Sequence, residues 1–187
     1  NSGSKAVQAR KMDAAAECFR KAAAWDPFSA EYKINHANIL LRKKKVSQQD
    51  FDEANRQVEA AEVLARYDVR LIPEIGSYYL STGDIEKGLE FFDRAIELRP
   101  FRPEEWQNKV SAYFEVAMSY FEKKDNKTAM EYVDKTLAIV DEAKSVNERN
   151  LNPFVFNPST SEMLERLKYI KDNAEKGGKI NIDEVVF

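Results

Sequence analysis

Apolar residues recur at intervals of three and four through most of this chain, the spacing of one buried face of an α-helix. Met12 to Trp25 sets Ala15, Cys18, Phe19 and Ala22 on one stripe, and the run stops at Trp25-Asp26-Pro27-Phe28, because Pro27 cannot continue a helix. The spacing predicts a second helix over 30–44, with Ile34, Ala37, Leu40 and Leu41, and a third over 48–67, with Phe51, Ala54, Val58, Ala61 and Leu64. From Val69 a helix with Ile72, Ile75, Gly76, Tyr79 and Leu80 breaks at Ser81-Thr82-Gly83-Asp84. It is followed by one with Ile85, Leu89, Phe92, Ala95, Ile96 and Leu98, up to Pro100. A pair over 103–123 and 127–143 comes next. After an Asn- and Pro-rich stretch, a last helix starts at Thr160 or Ser161 and ends at Glu175, stopped by two glycines.

Composition narrows the class. The chain has 187 residues, of which 43% are hydrophobic and 33% charged, with 6 Gly and 6 Pro. That is too apolar for a disordered chain, too poor in turn formers for a β-sandwich, and of a size for one domain or a short repeat array. A net charge of -3 removes the bulk attraction that non-specific nucleic-acid binding requires, so nucleic acid is not an expected partner. One Cys (Cys18) and one His (His36) cannot build a structural zinc site, a disulfide within the chain or most nucleophile–base pairs. No catalytic residue, cofactor or metal is therefore expected. No run approaches the roughly eighteen apolar residues of a membrane span. The chain opens without Met and midway through a helix pair, as expected of a portion cut from a longer protein.

The helix pair Val69–Arg102 resembles a tetratricopeptide repeat. Gly76 stands at the close approach of its helices, Tyr79 ends the first, Thr82-Gly83-Asp84 makes the turn, and Gly88, Phe92, Ala95 and Pro100 follow at the family's spacings. Ala15, Phe19, Ala22 and Pro27 resemble the second half of an earlier, truncated copy. Ala37, Leu40, Ala54, Val58 and Ala61 form a copy lengthened by about five residues, and Trp106, Ala117, Tyr120, Ala129 and Leu137 fit one with about seven inserted. The resemblance implies an all-α helix-turn-helix solenoid, a right-handed superhelix, over 1–157, followed by a capping helix and apolar tail over 158–187. A narrower likeness lies in WDPFSAEYKINHANILL (25–41), LRPFRPEEWQNKV (98–110) and NERNLNPFVFNPS (147–159), which resemble in texture the soluble repeat region of bacterial O-antigen ligase or polymerase-like membrane proteins. That likeness implies a membrane-bound parent handling lipid-linked glycans, with its reaction centre outside this chain.

In the family the first helix of each pair lines a concave groove. Carried onto this sequence, that face holds Glu31, Ile34, Asn38, Leu41 and Arg42, then Arg70, Pro73, Ser77 and Ser81, then Phe114, Met118 and Phe121. Such a groove is expected to take a protein or peptide ligand, or the chain's own INIDEVVF ending. Asn38 and Arg42 resemble two members of the clamp with which chaperone-binding relatives hold a terminal carboxylate, but Ile34 stands where lysine is needed and Glu74 and Ser81 depart from the pattern. The run Arg42-Lys43-Lys44-Lys45 reads as charge suited to a helix C-terminus or as a weak contact for an anionic membrane. The expected function is a non-catalytic interaction or scaffold module. Accessory action in glycan transfer and self-association through the repeat ends are the alternatives.

Overall fold

The computed structural model describes residues 4, 11–151 and 153–176, and among these no strand occurs. Eight helices lying wholly among the described residues carry the fold: α1 Met12–Trp25, α2 Ala30–Leu41, α3 Gln48–Leu64, α4 Ile72–Thr82, α5 Ile85–Leu98, α6 Pro103–Glu122, α7 Asn126–Asn147 and α8 Pro158–Glu175. The chain divides into two compact units, Asn1–Asp84 and Ile85–Phe187. The division falls between the two helices of the best-formed repeat.

In the first unit α2 packs against both α1 and α3, and α4 packs on α3 and α2. Connections of a few residues make chain neighbours antiparallel. The contacts are made by small side chains: Ala15, Ala37, Ala54 and Ala61 are wholly buried together with Ile34 and Val58, so the helix backbones approach closely. Helix starts follow local chemistry. Ser29 Oγ accepts from Tyr32 N–H at 3.3 Å to begin α2. Ser47 and Asp50 make a reciprocal capping box for α3, which satisfies two otherwise orphaned donors. Helix α4 ends at Gly83, whose φ of 90° is the left-handed conformation that only glycine adopts freely. Pairing across the unit includes Tyr78 Oη donating to Asn55 Oδ1 at 2.8 Å, and burial pushes the Tyr78 phenol up to about 12. Tyr79 Oη hydrogen-bonds Glu62.

In the second unit α6 packs against α5, α7 and α8, and α8 also packs on α7. One cluster joins Ala117, Met118, Phe121, Ala129 and Val133 to Leu167 and Ile170 of α8. A second joins Trp106, Val110, Ile139 and Ala143 to Leu164, with Phe154 and Phe156 of the preceding loop packed against it. That loop is held by Asn147, whose side chain donates to Phe154 C=O and accepts from Phe154 N–H, both at 2.8 Å. Three apolar residues of α8, Leu164, Leu167 and Ile170, thus join the core of this unit.

Helix bounds differ from the expected ones where the chain's termini chemistry outweighs its apolar pattern. Helix α2 stops at Leu41, since Arg42–Lys45 leaves the helix, and α3 stops at Leu64. Helix α7 runs on to Asn147, four residues past the expected end, because Ala143 and Val146 extend its buried face. Helix α8 begins at Pro158, earlier than Thr160 or Ser161: Asn157 Oδ1 caps Thr160 N–H at 2.8 Å, and proline is tolerated at the first helical position. The INIDEVVF ending lies outside the described residues.

Candidate functional site

The first unit contains a cavity of about 870 Å³ between α2, α3 and α4, of the size of small-ligand and peptide pockets. Asn38 and Leu41 enter it from the C-terminal half of α2, Arg42 from the C-cap that follows it, and Ser77 and Ser81 from the C-terminal half of α4. Spacing explains the grouping: 38, 41 and 42 share a helix face, as do 77 and 81. The guanidinium of Arg42 is exposed and makes no ion pair among the described residues, and the Asn38 amide makes no hydrogen bond among them. Ser81 Oγ donates to Tyr78 C=O at 2.7 Å, so its oxygen remains an acceptor. The walls therefore offer a cation, an amide and hydroxyls beside the apolar surface of Leu41.

Six wall residues were not expected there. Asn35, Ile39 and Thr82 each neighbour an expected position, Phe19 and Phe51 belong to the apolar stripes of α1 and α3, and Ser4 comes from the N-terminal segment. Asn35 is anchored through Nδ2, which donates to Glu31 C=O at 2.9 Å. The signal for Phe51 is that it is only half-buried, although its stripe marks it as core.

Several expected groove residues lie elsewhere. Ile34 is wholly buried, because α2 is packed on two sides by α1 and α3. Met118 and Phe121 are core residues covered by α8, and Phe114 packs against the same cluster. None of these four is a free groove wall. Glu31 and Arg70 sit near the helix starts, away from the cavity lining. Arg70 Nη2 donates to Asp68 Oδ2 at 2.8 Å, which lowers the Asp68 carboxyl and raises the guanidinium; Glu31 and Glu74 add to the latter. Partial desolvation, with Glu31 and Asp68 nearby, raises the Glu74 carboxyl. Pro73 occupies the first turn of α4.

The basic run is divided in use. Arg42 lines the cavity, Lys43 is ion-paired to Asp50, and Lys44 and Lys45 are exposed. His36 is buried with its Nδ1 unpartnered among the described residues, and burial pushes its pKa below the ordinary value. Cys18 is half-buried. Among the described residues no cluster of three potential metal ligands occurs, and no helix is long and apolar enough to cross a membrane.

Residues 74–102 match the family model described as tetratricopeptide repeat, so the α4–α5 region carries a repeat of that family and the fold is an all-α one of its helix-turn-helix class. Particular likenesses extend further along the chain. Two crystal structures of MamA superpose with a TM-score of 0.50 each: one at 15% identity over 94% of this chain and 98% of that chain, the other at 17% over 93% and 82%. At such identities the likeness carries the fold. The uncharacterized protein MJ0572 of Methanocaldococcus jannaschii is 57% identical over 30 residues, 16% of this chain, and the match spans 35% of that relative. None of these comparisons supports the likeness to O-antigen ligases.

Proposed function

We propose that this chain is a non-catalytic protein-interaction module whose first unit receives an extended peptide segment of a partner protein. The observation that carries this reading is the cavity itself, in which Arg42 and Asn38, without a partner among the described residues, converge beside Leu41 and the hydroxyls of Ser77 and Ser81. A peptide bearing a carboxylate next to an apolar side chain matches that arrangement: the guanidinium meets the anion in a charge-assisted bond while Leu41 and Phe51 cover the apolar group. The full chaperone-type clamp is not part of the proposal, since Ile34, at the lysine position, is buried.

A displayed peptide library panned against the chain tests it. Selected peptides are expected to share an acidic residue beside an apolar one, and Arg42→Ala should weaken them about tenfold or more, as loss of a hydrogen bond to a charged group does. Peptides whose affinity is unchanged by both Arg42→Ala and Asn38→Ala would reject the cavity as the site. A bacterial membrane-bound parent working on surface glycans is the setting implied by the texture of residues 25–41, 98–110 and 147–159. Apolar spans encoded before Asn1 would support it.

A further inference from the structure

The large apolar side chains left in solvent are not scattered. In the first unit the antiparallel order places the α1–α2 turn (26–29) and the α3–α4 turn (65–71) at the same end, and the 42–47 turn at the other. Trp25 (93% exposed), Phe28 (81%), Val63 (77%) and Tyr67 (72%) all stand at the first end. In the second unit the α5–α6 turn (99–102) and the α7–α8 loop (148–157) likewise share one end, joined by Asn157 Nδ2 bonding to Gln107 of α6. Leu98, Phe101, Leu151 and Val155 are exposed there. Among the described residues only Val46 and Tyr169 break the pattern. The opposite turns are Arg42–Ser47 in the first unit and Lys123-Lys124-Asp125 in the second, both charged. Each unit therefore gathers its exposed large apolar side chains at one end, interspersed with charged residues, opposite a charged turn at the other.

We infer that the apolar turn end of the first unit, carried by Trp25, Phe28, Val63 and Tyr67, inserts into the headgroup layer of a zwitterionic lipid bilayer, and that the equivalent turns of the second unit repeat the device. Three physical points select this occupant. The four side chains offer on the order of 500 Å² of apolar and aromatic surface, less than the ~800 Å² per partner of a stable dimer. Phe28 and Tyr67 stand on two separate turns, and Trp25 and Val63 on the last turns of α1 and α3, so the apolar side chains are carried by four separate segments, which suits a fluid layer that moulds around them. Tryptophan and tyrosine prefer the membrane–water boundary, and turn backbones, still hydrated there, limit entry to the outer 5–10 Å or so.

Charge decides between lipid types. Asp26 and Glu31 flank the first turn, Arg66, Asp68 and Arg70 the second, and Arg70 is paired with Asp68. With no cationic excess at this end of the first unit, attraction to anionic lipid does not drive its contact, whereas the second unit's turns carry Arg102 and Arg149 beside Glu148, with Arg99 paired to Glu105. The inference is independent of the cavity, which opens among the C-terminal halves of α2 and α4.

Flotation of the 187-residue chain with phosphatidylcholine vesicles tests the inference. The chain should float with the lipid equally at low and high salt, and Trp25 emission should shift to the blue. Trp25→Phe should abolish the shift, because Trp106 is already buried at 3% exposure. The double variant Phe28→Ser, Tyr67→Ser, both at exposed positions and so expected to keep its helical circular dichroism, should lower the bound fraction at least fivefold. Val46→Ser at the charged end should leave it unchanged. A chain that stays lipid-free, that floats as well with the double variant, or that binds only anionic vesicles and is released by salt would overturn the inference. So would dimerisation through these turns without lipid binding.

Discussion

Lys43 Nζ lies 2.9 Å from Asp50 Oδ1, and the other oxygen of Asp50 accepts from Ser47 N–H at 3.0 Å and Ser47 Oγ at 2.7 Å. A second carboxylate, that of Asp13 of α1, lies 3.4 Å from the same ammonium. Lys43 therefore ties α1 and the start of α3 to the end of α2. Its hydrogen bond, with those of Ser47, holds the Asp50 carboxyl at about 2, against an ordinary 3.8. A folded pKa below the unfolded one means stability that is present above about pH 4 and lost as pH falls through about 2. Asp50→Asn should lower stability by about 1 kcal/mol at neutral pH, the worth of a helix N-cap interaction. Urea titrations at a series of pH values should show the difference between wild type and variant closing across that window.

Glu105 is 1% exposed and bonds the guanidinium of Arg99, whose Nε is itself buried and unpartnered. Glu105→Gln removes the compensating charge while keeping the shape. Because Arg99 is 38% exposed, water offsets part of the loss, and the expected destabilisation is about 2 kcal/mol. Trp106, whose Nε1 donates to Pro100 C=O at 2.8 Å in the same turn, provides the fluorescence signal for measuring it.

Gly83 has φ of 90° and open space around the position of a would-be Cβ. Strain and not collision sets the expected effect of substitution. Gly83→Ala should lower stability by about 1 kcal/mol, and Gly83→Asn by less, since asparagine tolerates the left-handed region. Equal losses from both in thermal melts would contradict this account.

Lys109 of α6, 12% exposed, lies 2.7 Å from Asp93 of α5 and 3.5 Å from Glu142 of α7. Lys109→Met keeps the stem and removes the bridge, with an expected loss of about 1 kcal/mol. A double-mutant cycle with Asp93→Asn should show coupling, the second change having less effect when the first is present.

The helices were legible because their apolar residues follow a period of three to four and their turns carry Pro27, Gly83 and Pro100. The two serines of α4 and the Asn38–Leu41–Arg42 face could be paired in advance, since helical spacing puts each set on one side. What a linear pattern could not supply is which side a later helix covers. Met118 and Phe121 look like groove residues until α8 lays Leu167 and Ile170 over them. Ile34 looks like a wall residue until α1 and α3 enclose α2 from both sides. Phe51 was missed for the opposite reason, being half-buried on a stripe that marks core.

The alanines at the crossings of α1, α2 and α3 have a wider bearing. With no side-chain length to vary, Ala15, Ala37, Ala54 and Ala61 set the spacing between helix axes, and anything larger would prise the layers apart. Outer faces and turn lengths carry no such restriction. A backbone specified by so few positions can be rewritten almost everywhere else, which is how a chain only 15% identical to MamA traces a related path.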